Sequence, residues 1–253
     1  MADGEIPAAP GGGYSELITE LGRAQKPGHG VPPYTRYVNR WLGRRLAAVA
    51  YMLGLTPNAV TWISLAVSVA GLVILATVGS TITATILVPF LLCLGYALDS
   101  ADGQLARLQH SGSPAGEWLD HVVDAARAPA VHLATLVYFL RYDDHRPWML
   151  AIPMVFVIVG SARFFSQILG EQLRARHGVA SPAQAGDRST ARRAWMQLPS
   201  DTGVLSLAFV LIAWPMTFAV VYAILCVANV ILAAASWRRR YRELSDVGGP
   251  GQP

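Results

Sequence analysis

Residues 46–98 read LAAVAYMLGLTPNAVTWISLAVSVAGLVILATVGSTITATILVPFLLCLGYAL, and Asp, Glu, Lys and Arg are all missing from that stretch. A second charge-free run extends from Thr202 to Trp237. Uninterrupted apolar segments longer than about 18 residues indicate membrane-spanning helices. Composition agrees: of 253 residues, 53% are hydrophobic and 14% charged, against about 25% charged in ordinary soluble domains. The reading is an all-α, polytopic membrane protein with six transmembrane helices, near 58–78, 83–106, 116–139, 147–170, 203–218 and 219–237. The last two are separated at Trp214-Pro215, since proline breaks a helix.

Working outward, residues 34–52 can form a helix with Tyr34, Tyr37, Val38, Trp41, Leu42 and Leu46 on one side and Arg36, Arg40 and Arg44 on the other. That reads as an N-terminal amphipathic helix suited to the membrane interface; the alternative is a soluble-type helix packed on the domain. Residues 1–30 hold Gly and Pro clusters but no apolar core, so they read as a flexible cytoplasmic tail rather than a secretory signal. Residues 31–240 form the membrane domain, and 241–253 a flexible C-terminal tail. Residues 174–201 read as a cytoplasmic loop.

Arginine distribution orients the chain. With six spans, one side collects Arg36, Arg40, Arg44, Arg45, Arg107, Arg174, Arg176, Arg188, Arg192, Arg193 and Arg238–Arg240. The other has Arg141 and Arg146 beside Asp143 and Asp144. Positive loops stay inside, so both termini are expected in the cytoplasm, with the protein in the cell membrane. The net charge of +4 fits anionic headgroups and topology better than nucleic acid. Cys93 and Cys226 fall in spans and read as small buried residues, with no disulfide framework or zinc motif.

Against this apolar background four carboxylates stand out: Asp99 and Asp102, three apart, and Asp120 and Asp124, four apart. On helices each pair shares a face. Residues 108–115, containing His-Ser-Gly-Ser-Pro, can turn the chain so that the pairs confront each other. Converging carboxylates repel unless cations neutralise them, and all-oxygen ligands suit magnesium, manganese or calcium. Two divalent ions bridged by shared carboxylates would neutralise such a cluster and bind a diphosphate. Arg107 can clamp a phosphate. Gly103, Ala106 and Gly116 leave room for a bulky group, or serve close helix packing.

The spacing D-x2-D-G-x2-A-R-x8-G-x3-D-x3-D, filled by Asp99, Asp102, Gly103, Ala106, Arg107, Gly116, Asp120 and Asp124, resembles the signature of the CDP-alcohol phosphotransferase family at every fixed position. Leu55-Thr56-Pro57-Asn58-Ala59-Val60-Thr61 resembles the start of that family's first span, and the likeness extends over roughly residues 55–170. The resemblance implies an enzyme of phospholipid biosynthesis. An alcohol hydroxyl attacks a CDP-linked donor, a phosphodiester forms and CMP leaves. It further implies metal binding by Asp99, Asp102, Asp120 and Asp124, two Mg2+ ions (or Mn2+), and Asp124 as general base. Thr56, Asn58, Thr61, Asp99, Gly103, Ala106, Arg107 and Gly116 would meet the nucleotide. A homodimer is also implied.

The order Gly116-Glu117-Trp118-Leu119-Asp120-His121 is similar to choline and ethanolamine phosphotransferases, which favours a CDP-linked polar alcohol as donor and a lipid hydroxyl as acceptor. The alternative is a CDP-diacylglycerol donor with a polar alcohol acceptor such as inositol phosphate, glycerol phosphate or serine. Glu117, His121, Arg127, Arg163 and Gln167 are candidates for acceptor or headgroup contacts; Gln167 and Glu171 follow Arg163 at four-residue steps as a polar stripe, though Glu171 can equally face solvent. Arg127 can instead simply pair with Asp124, and His132 reads as a satisfied polar residue between helices. A transporter or a non-catalytic scaffold also tolerates intramembrane carboxylates, but neither needs the spacing around Asp102-Gly103 and Ala106-Arg107.

Overall fold

The computed structural model describes residues 13–25, 28, 30–142, 146–178, 192 and 194–247. They are helical, and no strand occurs among them. In order these are α1 (Tyr14–Arg23), a π-helical turn (Thr35–Asn39) leading into α2 (Arg40–Met52), α3 (Pro57–Val78), α4 (Ile82–Leu108), α5 (Pro114–Tyr142), α6 (Pro147–Arg176), α7 (Thr202–Ala208) and α8 (Pro215–Val247). Four are long and apolar enough to cross a membrane: α3, α4, α6 and α8. The protein is an integral membrane protein.

Local chemistry sets the starts of the long helices. Thr56 caps α3, its hydroxyl accepting from the Ala59 N–H at 3.3 Å, with Pro57 in the first turn. Thr81 caps α4 in the same way through Ala84 at 3.2 Å. Between them the chain reverses in three residues, Gly79–Thr81. Gly79 has φ +74°, and a Cβ there would sit 2.7 Å from the Tyr142 ring. The two helices then run closely side by side. Ser64 donates to the Gly95 carbonyl at 2.8 Å, and a Cβ on Gly95 would lie 2.2 Å from the Ser68 hydroxyl oxygen. Small residues at the contact let two backbones approach inside lipid, where water offers no hydrophobic drive.

Two cores result. The larger joins α3, α4, α5, α6, α7 and α8 around Leu75, Val88, Tyr138, Phe139, Phe156, Phe209, Phe218 and Tyr222. The smaller joins α1–α4 through Leu17, Leu21, Ala47, Val60, Ala101 and Leu105. Large apolar residues such as Ile82, Phe90, Ile158, Phe165, Ile224 and Ile231 are exposed, as lipid-facing side chains should be. Cys93 and Cys226 are free thiols, the first half-buried and the second buried.

Several boundaries differ from the expectation. Residues 14–23 are not a loose tail: Leu17 and Leu21, one helical turn apart, are buried against α2 and α4. The helix over 35–52 forms, but its buried face is Asn39, Gly43, Ala47 and Ala50, while Tyr37, Val38 and Trp41 are exposed. Small residues win the contact because they let α2 lie close to α4.

The expected span 203–218 is interrupted. After Ala208 the helix tightens to a 3-10 turn at Phe209–Leu211, and α8 starts at Pro215, not 219. Proline has no N–H to continue a helix but fits its first turn. At ten residues, the helical stretch Thr202–Leu211 rises only about 15 Å, half a hydrocarbon core. α5 has 29 residues, but Glu117, Asp120, Asp124 and Arg127 dilute its apolarity. α8 also runs on to Val247, into the segment expected as a tail from 241. Asp143, Asp144, Arg188 and Arg193, with half of the 174–201 loop and the Gly-rich ends of both tails, lie outside the described residues.

Candidate active site

The C-terminal half of α4 carries Asp99, Asp102, Gly103, Ala106 and Arg107; the N-terminal half of α5 carries Gly116, Glu117, Asp120, His121, Asp124 and Arg127. The turn joining them is fixed by backbone bonds. Ser111 N–H donates to the Ala106 carbonyl at 3.0 Å and Glu117 N–H to the Ser113 carbonyl at 3.0 Å. His110 takes the left-handed conformation, φ +50°. α5 then packs mainly on α3 and α6, which leaves space between its acidic face and that of α4.

Three carboxylates converge. Asp99, Asp120 and Asp124 each offer an oxygen, and these oxygens lie within 4.8 Å of one another. Arg127 bridges the helices, its Nη2 pairing with Asp99 and lying 3.3 Å from Asp124. One guanidinium against three carboxylates leaves the group net negative, and oxygen donors this close suit a hard divalent cation. The fourth carboxylate, Asp102, stands apart. It is buried and accepts the Thr61 hydroxyl at 2.6 Å and the Gly103 N–H at 2.5 Å. Thr61 sits one turn into α3 and bonds it directly.

Two cavities meet at this cluster. One of about 190 Å³ is lined by Asp99, Asp102, Gly103, Arg107 and Asp120, with Gln25, Arg40, Ser100 and Gln104. The other, about 410 Å³, is lined by Asp99, Asp120, Asp124, Arg127, His121, Arg163, Gln167 and Glu171, with Tyr96, Ser200 and Asp201 among others. Asp99 and Asp120 belong to both. Asp102 faces only the smaller cavity and Asp124 only the larger.

In the larger cavity Arg163 donates to Asn229 Oδ1 and to the Ser200 hydroxyl, each at 2.9 Å. It makes no ion pair among the described residues. Gln167 donates to Glu171 at 3.3 Å. His121 stands edge-on to Phe164 and lies 4.0 Å from Asp120. Glu117 lines neither cavity, and its side chain is 77% exposed. His132 has its Nδ1 2.6 Å from the Tyr222 hydroxyl and stacks on Phe156 at 4.1 Å, a polar residue satisfied between helices.

The expected nucleotide residues divide. Gly103 and Arg107 line the smaller cavity with Asp99, and Thr61 acts through Asp102. Thr56, Asn58, Ala106 and Gly116 line neither. Thr56 serves as a cap, while Asn58 Oδ1 lies 3.2 Å from where a Cβ on Gly116 would stand.

Residues beyond the motif complete the walls. Tyr96, one helical turn before Asp99, hydrogen-bonds through its hydroxyl to Thr35 at 2.7 Å. Thr35 in turn donates its N–H (2.9 Å) and hydroxyl (3.0 Å) to the buried carboxylate of Asp201. The helical spacing Tyr96–Asp99 is a signal legible in sequence. The contributions of Gln25, Arg40 and Asp201 depend on tertiary contacts alone.

The fold sets an acidic group between facing helix halves of a membrane protein, with a cavity on either side. Residues 54–235 match the family model for CDP-alcohol phosphatidyltransferases, and the chain belongs to that family. It is therefore a transferase of substituted phosphate groups in phospholipid synthesis. Among solved structures, it resembles the Mycobacterium tuberculosis phosphatidylinositol phosphate synthase PgsA1 in complex with manganese and citrate. The identity is 23% and the TM-score 0.51, covering 81% of this chain and 89% of that one. The same enzyme with CDP-DAG bound matches at 20% identity and TM-score 0.52, covering 85% of this chain and 96% of that one. These likenesses establish a shared fold. No curated protein matches the chain in sequence.

Proposed function

We propose that this transferase moves a phosphatidyl group from a CDP-diacylglycerol donor to a polar alcohol, releasing CMP. The observation that carries the reading is the pair of cavities that meet at Asp99 and Asp120. The nucleotide occupies the smaller, against Gly103 and Arg107; the acceptor occupies the larger, against Arg163; the donor's phosphoryl groups lie between, at the carboxylates. Thr56, Asn58, Ala106 and Gly116 then support the rim of the nucleotide side.

Read alone, the segment at Glu117 and His121 favours the reverse arrangement, with a polar alcohol on the CDP. Three observations weigh against it. Glu117 is turned to solvent, the family model is one of phosphatidyltransferases, and a structural neighbour binds CDP-DAG. Arg163 adds to this. A cation held by neutral partners in the wall of the larger cavity suits an anionic acceptor, such as inositol phosphate or glycerol phosphate.

The donor set fits divalent cations: Asp99, Asp120 and Asp124 offer converging oxygens, and Asp102 faces the same centre from the nucleotide side. We assign two Mg2+ ions, replaceable by Mn2+, a choice supported by the manganese in a structural neighbour. Bound there, such ions would stabilise the charge that develops on the phosphoryl oxygens. The chain's own groups do the rest. Asp124 faces only the acceptor side, where a base must stand, and takes the hydroxyl proton. The acceptor oxygen bonds to the lipid phosphorus, and the P–O bond to CMP breaks with its electron pair on CMP. Arg107 holds the departing phosphate, and Arg127 keeps Asp99 and Asp124 in place.

In the membrane, α3–α6 and α8 make full passes, α7 with its 3-10 extension, too short for a full hydrocarbon core, completes a sixth across a locally thinned bilayer, and α2 lies at the interface with Tyr37, Val38 and Trp41 toward lipid. Both termini and the active site face the cytoplasm, as the arginine asymmetry requires, and the protein works as a homodimer. Mass spectrometry tests the reaction: CDP-diacylglycerol with a panel of phosphorylated polyols should yield a new phosphodiester lipid and CMP. Turnover only with CDP-choline or CDP-ethanolamine and diacylglycerol would overturn it.

A further inference from the structure

The family match begins at residue 54, yet the smaller cavity has a wall contributed from before it: Gln25, just past the end of α1, and Arg40 of α2. α1 is firmly docked, with Leu17 and Leu21 buried against α2 and α4. At its end two bonds reach the motif helix. The Ala24 carbonyl accepts from Arg107 Nε at 3.1 Å, and Gln25 Nε2 donates to Gln104 Oε1 at 2.9 Å. Gln104 is itself buried and donates to the Arg40 carbonyl at 3.3 Å and to the Ser100 hydroxyl at 3.2 Å. Arg107 makes no ion pair among the described residues. With Nε taken by a neutral carbonyl, its two terminal nitrogens keep their charge and donors for the cavity.

We propose that the end of α1 is a positioning element for the nucleotide: Ala24 and Gln25 fix Arg107 and Gln104 at the cavity wall, so a helix outside the family's matched region sets donor affinity. A guanidinium on a flexible stem loses rotamer freedom when it binds phosphate, and pre-ordering it on the Ala24 carbonyl removes that cost. This rests on the assignment of the smaller cavity to the nucleotide.

The test measures CDP binding by titration calorimetry on the purified full chain with saturating Mn2+. Arg107→Ala serves as a control on the cavity assignment and should weaken CDP more than tenfold. Gln25→Ala should weaken CDP about fivefold, the effect of one modest hydrogen bond. Its melting temperature should fall only slightly, for the lost bond to Gln104, and its affinity for Mn2+ alone should match the wild type, which a general loosening of the fold would not produce. Unchanged CDP binding in Gln25→Ala beside a weakened Arg107→Ala overturns the proposal and leaves the cavity assignment standing. Unchanged binding in Arg107→Ala overturns the assignment and the proposal with it. If Gln25→Ala does not purify folded, hydrogen exchange of the wild type decides. CDP with Mn2+ should slow exchange at residues 14–25 as well as 99–107, and slowing at 99–107 alone overturns the proposal.

Discussion

Thr61 donates its hydroxyl to Asp102 at 2.6 Å, joining α3 to α4 at the single motif carboxylate that stands outside the converging three. A buried carboxylate without donors is costly, so the residue that binds it belongs to the site even though it touches no reacting atom.

Thr61→Val keeps the shape and removes the donor. The chain should lose about 1–3 kcal/mol of stability from the unsatisfied acceptor, read as a fall in melting temperature in detergent. Thr61→Ser should recover most of it. Equal stability of all three would show that Asp102 finds another donor.

Arg127→Met removes the cation between Asp99 and Asp124 while keeping length and apolar volume. Breaking a largely buried pair typically costs about 3–5 kcal/mol. The loss should be greatest in chelator and shrink as Mn2+ is added, because a divalent ion replaces the missing charge. Melting curves across a Mn2+ titration check this, and a deficit independent of Mn2+ would contradict it.

Removing divalent ions should abolish CMP release, and Mg2+ or Mn2+ should restore it. Asp124→Asn should lower turnover by about 100-fold or more, the usual contribution of a positioned base, with CDP binding little changed. Release of radiolabelled CMP measures both, and undiminished release from Asp124→Asn would remove that residue from the role of base.

Arg163→Leu should raise the acceptor KM about tenfold or more while leaving the donor KM within twofold, since Arg163 lines only the larger cavity. A charge-assisted contact of this kind contributes about 1.5–3 kcal/mol. Steady-state kinetics with each substrate varied in turn separates the two. A rise in the donor KM alone would place the nucleotide on the other side.

Gly95→Ala probes the α3–α4 contact. Its added methyl would press on the Ser68 hydroxyl, and overpacking of this kind costs about 1–3 kcal/mol. The double change with Ser68→Ala should recover part of the loss in a thermal-denaturation cycle.

The charge-free runs at 46–98 and 202–237 were enough to foresee α3, α4 and α8, because lipid solvation leaves few alternatives to a helix. Asp99, Asp120 and Asp124 were legible from spacing. Other features depended on contacts that no local pattern encodes. Leu17 and Leu21 lie in a Gly- and Pro-rich neighbourhood, and their partners on α4 lie about eighty residues away. The pairing of Arg127 with Asp99 depends on how α4 and α5 are rotated about their axes. The break between α7 and α8 falls in a uniformly apolar run, where Pro215 was the only mark, and its placement by a few residues is decided by packing around Phe209 and Phe218.

The bond from Thr35 to Asp201 joins positions 166 apart in the chain. Thr35 emerges early in synthesis and Asp201 near the end, so the Thr35 that meets the Tyr96 hydroxyl gains its own carboxylate partner only once the start of α7 is in place. Chains cut short before residue 201 carry the complete aspartate motif yet lack this clasp. A chain that stops before residue 201 therefore keeps Asp99, Asp120 and Asp124 but loses the wall of the larger cavity that Asp201, Thr202, Leu205 and Asn229 supply.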